Sequence, residues 1–515
     1  MRKDSGQSTS VWMKTATVPE RPSLAETLHA DVCVVGAGIA GLTTAYLLAK
    51  QKKSVVVLEG REIGGGQTVR TTAHISTALD DRYYEIEDIH DQEAAKLVAD
   101  SFTAAIARVE SIVTTEKIDC DFERLDGYLF AATLDEAKEL DKELAATHRA
   151  GLTPVEKLAR SPITSFDTGP CLRFPQQAQF DPQKYMAGLA EAITRLGGRI
   201  YTHTHISEVK GGSPAQVQTR EGLVVTANAL VIATNSPIND RIFTHLKQAP
   251  YQTYVIAAKV PSGSIAKGLY WDTLDPYHYV RLQTMQADGQ TYDLLIVGGE
   301  DHKTGQANDA DARYAALETW TKERFPMVES IEFSWSGEVM ESADGLAYIG
   351  QSPDQAENVY IATGDSGMGM THGTIAGMLL TDLILGHENP WKDLYNPGRV
   401  PVGAASDLIT EGLNVAAQYK DWVTGGDIDH AEQLTPGTGA IVRRGLTKVA
   451  AYRDEAGELH ECSAVCPHLG CIVAWNSSEK SFDCPCHGSR FSAEGEVLNA
   501  PAIKGLSPAN VSSTK

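Results

Sequence analysis

The chain has 515 residues, long enough for several domains with sizeable cores. Lys and Arg total 45 against 67 Asp and Glu, a formal charge of −22, so the surface argues against nucleic acid or an anionic membrane as partner and would suit a basic redox protein. Five of the 8 cysteines fall between Cys462 and Cys486, the distribution of a cofactor site and not of a secreted disulfide framework.

In chain order, an N-terminal extension over 1–28 comes first. Its opening twenty residues are polar, without the apolar core or small-residue cleavage site of a secretion signal. No run of about eighteen apolar residues occurs anywhere, so no membrane span and a cytoplasmic protein are expected. Residues 31–35 then read as a short apolar strand running into Gly36-Ala37-Gly38-Ile39-Ala40-Gly41 and an Ala/Leu-rich helix through Ala49. This is a dinucleotide fingerprint in its proper context. Gly36 makes the tight turn, Gly38 admits the pyrophosphate, Gly41 lets the helix pack closely, and the phosphates sit on the helix N-terminus. A second strand over 54–58 ends in Glu59, near the spacing expected of a carboxylate that holds the ribose hydroxyls.

Further on, residues 84–113 read as helical, with Val98, Phe102, Ile106, Val109 and Val113 forming one apolar face. A second helix is expected over 181–196, ended by Gly197-Gly198, before a strand over 199–204. Residues 251–333 alternate apolar and polar side chains, as an antiparallel sheet does. After it come Trp335-Ser336-Gly337, Asp344-Gly345, Tyr348-Ile349-Gly350, and then the run from Asn358 through Thr363-Gly364-Asp365-Ser366-Gly367-Met368-Gly369.

Together with the small-residue loop Gly64-Gly65-Gly66-Gln67 and the strand and turn over 227–235, this series resembles the D-amino-acid-oxidase-like FAD superfamily, which includes glycine, sarcosine and gamma-glutamylputrescine oxidases. The resemblance covers roughly 30–390. It implies FAD as cofactor, held by Gly36, Gly38, Gly41, Glu59, Val209, Gly364, Asp365, Gly367 and Gly369, with a closing helix over 373–385. The implied fold is an α/β Rossmann-type FAD-binding domain (29–83, 155–245 and 335–390) with an α+β substrate domain built on an antiparallel sheet (84–154 and 246–334). Val339 falls where glycine-oxidase-like enzymes carry an Arg for the substrate carboxylate, so an ordinary amino acid is disfavoured. Tyr251, Tyr254, Tyr279 and Arg281 are the candidates for lining the pocket. His74 is out of register with the position at which relatives attach FAD covalently, so a non-covalent cofactor is expected.

A connector over 391–431, with a helix near 408–423, leads to the last module at 432–515. There Cys466-Pro467-His468-Leu469-Gly470-Cys471 and Cys484-Pro485-Cys486-His487-Gly488-Ser489 each offer one Cys and one His, Cys466 with His468 and Cys484 with His487. Two such loops are what a Rieske 2Fe-2S cluster requires, one iron taking two thiolates and the other two imidazoles. Structural zinc also takes mixed Cys/His sets, but six potential ligands are too many for one tetrahedral ion. The pattern resembles the small all-β Rieske proteins of cytochrome bc complexes, which implies a loop-tying disulfide between Cys471 and Cys486. Ser489 keeps one donor of that family, and Phe491 stands where those proteins carry a Tyr.

A Rieske centre has no substrate chemistry of its own. One reading is therefore an FAD enzyme that oxidises a small amine and passes electrons singly through the cluster to an external one-electron acceptor. The alternative is an electron-transfer protein feeding another enzyme. No second Gly-x-Gly-x-x-Gly unit supports an NAD(P)H site, and no two-His, one-carboxylate iron site of an oxygenase can be placed.

Overall fold

A computed structural model describes residues 6–133, 136–239, 244–287, 289–354, 357–400, 402–422 and 424–509. The strand Leu28–Val35 lies at the centre of an eight-stranded sheet, paired in parallel with Val55–Leu58 on one side and Val224–Ile232 on the other. Val359–Thr363 extends it in parallel, and Tyr348–Gln351 closes that edge antiparallel. The run Val32–Val35 and all of Val55–Leu58 are buried on both faces, which is why these strands are continuously apolar instead of alternating. The helices Ile39–Lys50 and Gly369–Leu385 pack on each other over this sheet. Gly377 lies where an added Cβ would meet Thr43 Cγ2 at 2.4 Å, so small residues set their separation.

A nine-stranded, mainly antiparallel sheet forms the second layer, with Gln248–Pro261 between Ser330–Ser342 and Gln290–Lys303. It takes in more chain than the sequence reading allotted. Glu156–Leu158 and Cys171–Gln179, expected in the FAD-binding part, pair with each other in this sheet, where Cys171–Gln179 also pairs with Glu123–Phe130, and Ser330–Ser342 belongs to it too. Pairing partners distant in sequence decided this, and a single strand's pattern does not carry them. The helix read over 84–113 is two, Tyr83–Ile89 and Gln92–Glu116, because Asp91 turns extended and accepts from Ala94 N at 2.7 Å as a cap.

The N-terminal extension is packed into the protein. Trp12 is fully buried, its indole Nε1 donates to Thr71 O at 2.7 Å, and the Arg281 guanidinium lies 5.1 Å from its ring. The connector helix runs Ala405–Gln418, followed by a 3-10 turn at Tyr419–Trp422. Val423 of the expected helix, residues 1–5 of the extension and 510–515 of the last module lie outside the described residues. That module consists of a three-stranded antiparallel sheet from Thr438 to Ser463 and a four-stranded one from Ala474 to Asn499. Its core holds Trp475, Phe482 and Phe491 together with Cys466, Cys471, Cys484 and Cys486. Among the described residues no helix is long and apolar enough to cross a membrane.

Candidate active site and cluster site

One cavity of about 340 Å³ runs between the two layers, from the Gly36–Gly38 turn to the antiparallel sheet. Gly36 has φ +105°, and an added Cβ would stand 2.3 Å from Ala233 O, so the turn requires glycine. At Gly38 an added Cβ would meet only Thr68 Oγ1, at 3.0 Å, which leaves that face open to the cavity. The N-terminus of Ile39–Lys50 points the same way. Glu59 lines the cavity and accepts from Ala37 N at 2.8 Å and Arg61 N at 2.9 Å, tying the end of the second strand to the glycine turn. Gly364, Asp365 and Gly367 line it from the turn after Val359–Thr363, and Gly369 from the first residue of the closing helix.

Val209 does not line the cavity. The wall here is Thr204, His205 and Ile206, while Val209 pairs with Val217 in a hairpin and packs into the core beneath it. An irregularity in register between Ile206 and Glu208 separates the two positions. The last module supplies wall as well. Val497, Leu498, Asn499, Ala500, Ala502 and Ile503 close this end beside Arg61 and Arg220, which donate to Val497 O at 2.7 Å and Ile503 O at 3.0 Å.

At the opposite end the lining turns acidic. Asp80, Asp301, Glu341 and Asp365 face the cavity together with Thr253, Trp271, Tyr277 and Tyr279. Burial pushes Asp301 up to about 7 and Asp365 up to about 6, and repulsion from Asp80 adds to both. Glu341 is raised well above the ordinary carboxylate range by burial and then by Asp81, Asp80, Asp365 and Asp301. Gly367, at φ +71°, lets Asp80 approach, since an added Cβ would stand 1.8 Å from Asp80 Oδ2. Tyr277 donates to that carboxylate at 3.0 Å. His74 forms part of the aromatic wall, 5.6 Å from Trp271 between ring centroids, and burial pushes it down to about 3.

Of the four predicted pocket residues, Tyr279 alone lines the cavity, its hydroxyl 2.7 Å from Thr253 Oγ1. Tyr254 follows Thr253 on the strand and therefore points to the other face, where its hydroxyl meets His302 Nε2 at 2.9 Å. Tyr251 also lies off the cavity, under the Lys303 ammonium. Arg281 is fully buried behind the wall and donates to Thr72 O, Ala73 O and Phe180 O, so it clamps backbone and meets no ligand. Val339 does reach the cavity. The acidic residues were missed because each is one carboxyl on its own strand or loop. No alternation announces Asp301, because the register of Gln290–Lys303 against Gln248–Pro261 shifts between Gln252 and Tyr254 and Glu300 has φ +58°.

In the last module the two Cys/His loops meet. The Cys466 thiol is drawn below its ordinary value by a hydrogen bond from Cys484, then by the His468 N–H, the Ser489 hydroxyl and the Leu469 N–H. The rings of His468 and His487 stand edge to face, 5.1 Å apart. Cys471 and Cys486 are joined by a disulfide with 6.5 Å between Cα atoms, which ties the loops together. His487 is 2% exposed, and its Nδ1 is buried without a hydrogen-bond partner among the described residues. A buried polar nitrogen left in this way is accounted for if it meets a metal. Phe491 is fully buried and pairs in register with Phe482.

The family model for FAD dependent oxidoreductases of the DAO type matches residues 31–383, more than half of the chain. The chain belongs to this family. Residues 426–510 match the Rieske [2Fe-2S] domain, so the enzyme is an FAD oxidoreductase that carries a Rieske 2Fe-2S cluster as a second cofactor. It is similar over 96% of both chains, at 31% identity, to YhfW of Bacillus subtilis strain 168, whose own name is that of a Rieske 2Fe-2S iron-sulfur protein. Gamma-glutamylputrescine oxidoreductase of Escherichia coli K12 is 27% identical over 77% of this chain and 93% of that one. Among solved structures, glycine oxidase of Geobacillus kaustophilus superposes with a TM-score of 0.59 at 19% identity, covering 73% of this chain and all of that one, which shows the shared fold. The residues fit both cofactors of this DAO-family enzyme. The glycine turn opens toward a cavity headed by a helix N-terminus, and the Cys466 and Cys484 thiols and the His468 and His487 rings converge in pairs.

Proposed function

We propose that this oxidoreductase takes a small cationic amine into the acidic end of its cavity, oxidises it, and sends the electrons one at a time to a cluster held by Cys466, His468, Cys484 and His487, and from there to an external one-electron acceptor. The observation that carries the reading is the carboxyl group set Asp80, Asp301, Glu341 and Asp365 at the cavity end beneath the antiparallel sheet. Bound FAD supplies a two-electron acceptor for the C–H bond, and the cluster supplies a one-electron relay.

The chain's own residues do the rest. The carboxylates hold the ammonium group, and Tyr277 orients Asp80 for it. His74, kept neutral by burial, adds no repelling charge. An amine must be deprotonated to yield electrons, and Asp301, with a pKa near 7 and an Oδ1 that has no partner among the described residues, is placed to take that proton. Oxidation of the C–N bond to an imine releases two electrons and two protons, and water then hydrolyses the imine. Val339 is apolar, Arg70 is engaged by Ser336 O, and Arg61 and Arg220 stand at the opposite end, so among the described residues an α-carboxylate finds no counter-charge here. The similarity to gamma-glutamylputrescine oxidoreductase supports an amine-type substrate.

Anaerobic titration with amines, amino acids and NAD(P)H, following flavin absorbance and the cluster signal together, tests this reading. Amines should bleach the flavin and then the cluster. Bleaching by NAD(P)H alone would instead establish an electron-transfer protein without an amine substrate.

A further inference from the structure

A third histidine touches the cluster site from the flavin side. His245, in the 3-10 turn His245–Lys247, is 2% exposed, and its ring lies 4.8 Å from that of His468 and 5.7 Å from that of His487, nearly perpendicular to the first. Three residues on, Gln248 begins the strand Gln248–Pro261, and its Oε1 accepts from Thr363 Oγ1 at 3.0 Å. Thr363 lines the flavin cavity. His468 and His487 therefore face the flavin domain, and a path from them to the cavity wall at Thr363 runs through one buried ring, one stretch of backbone and one hydrogen bond.

The contact is held in place. Gly488 presses on Pro250, with 2.7 Å from an added Cβ to Pro250 Cβ, and a Cβ added at Gly305 would stand 3.0 Å from Asp483 O and from Pro485 N. Such packing leaves no space for the ligand loop to move without undocking the module. In the first loop Pro467 is exposed to an outside partner, while Tyr419 and Trp422 of the connector donate to Leu469 O and Gly470 O beside it.

We propose that electrons pass from flavin to cluster inside this one chain through His245, which acts as a positioning residue between the two centres. In each passage the reduced flavin loses one electron and the cluster gains it. The cluster must be reoxidised by the external one-electron acceptor before the second passage, and the flavin protons leave to solvent. The inference rests on the assignment of both cofactors but not on the identity of the substrate.

The test uses the full-length protein with both cofactors loaded and needs no substrate. Laser-flash photoreduction with 5-deazariboflavin and EDTA reduces the flavin, and the subsequent bleaching of the cluster is timed. His245→Ala should slow that step several-fold, while the cluster EPR spectrum, the cluster content and both reduction potentials stay at wild-type values. His245→Phe, which restores a ring, should recover most of the rate. Asn308→Ala, which removes only the rim contact to Ser477, should leave it unchanged. Gln248→Ala should slow the step as well, which keeps the proposal open to test if His245→Ala does not fold. A wild-type rate in His245→Ala with an intact cluster overturns the proposal. So does loss of the cluster in both His245 variants, since that would make the residue a structural support of the site.

Discussion

Arg70 of the flavin domain and Glu479 of the Rieske domain face each other across the domain boundary, each 1% exposed, with Nη1 3.7 Å from Oε1. Ser336 Oγ donates to the same carboxylate oxygen at 2.5 Å, and Ser8 N donates to the other oxygen at 3.1 Å. Burial alone would raise the Glu479 pKa, but Arg70 and Arg490 hold it below its ordinary value. A carboxyl depressed in the folded state contributes stability above its unfolded pKa and loses it as pH falls through the folded one. Docking of the two domains should therefore weaken in acid, below the ordinary carboxylate range. Glu479→Gln leaves a buried guanidinium uncompensated and should cost about 3–5 kcal/mol. Thermal unfolding should show this, along with faster proteolysis in the connector.

Cys484→Ser should abolish the Rieske EPR signal while the flavin spectrum survives, because the glycine turn and the closing helix that line the flavin cavity lie in the other domain. A normal cluster in this variant would exclude Cys484 as a ligand.

Phe491→Tyr should raise the cluster reduction potential. Phe491 is fully buried in the cluster domain, and a hydroxyl there would add a hydrogen-bond donor to a ligand sulfur, which stabilises the reduced form. Redox titration followed by EPR measures it, and an unchanged or lower potential counts against this position for the missing donor.

The acidic end of the cavity predicts a pH profile. Asp365 and Asp301 titrate near about 6 and about 7, so KM for a cationic amine should fall as pH rises through that range and the carboxyls ionise. Asp301→Asn should raise KM by about tenfold, the loss of one charge-assisted hydrogen bond. Stability runs the other way. Carboxyls whose folded pKa is raised favour the folded state at low pH, and that contribution is lost as pH rises through the folded values. The melting temperature of substrate-free protein should fall as pH rises from the ordinary carboxylate range up to these folded values, and a saturating amine should reverse the fall.

Much of this was legible in the chain because the chemistry is local. A dinucleotide turn needs three glycines within six residues of one strand–helix junction, and Gly36, Gly38 and Gly41 supply them. A Rieske cluster needs two compact loops, and Cys466 to Cys471 and Cys484 to Ser489 supply them, while the disulfide partners followed only from the resemblance to the Rieske proteins of cytochrome bc complexes. Both cofactors, both folds and the order of the modules follow from such short-range patterns.

What only the tertiary structure decided depends on which strands become neighbours. Tyr254 and Arg281 looked like pocket residues, but the pleat of the sheet sends one to the far face and buries the other behind the wall. The carboxyls at the acidic end of the cavity come from Asp80, Asp301, Glu341 and Asp365, spread over almost 300 positions and joined only when the sheet folds over the closing helix. The sequence presents the Rieske module as a separate unit, yet its 497–503 segment completes the flavin cavity, and His468 and His487 rest on His245. Burial and register are properties of the assembled chain, so no motif in either module could announce that contact.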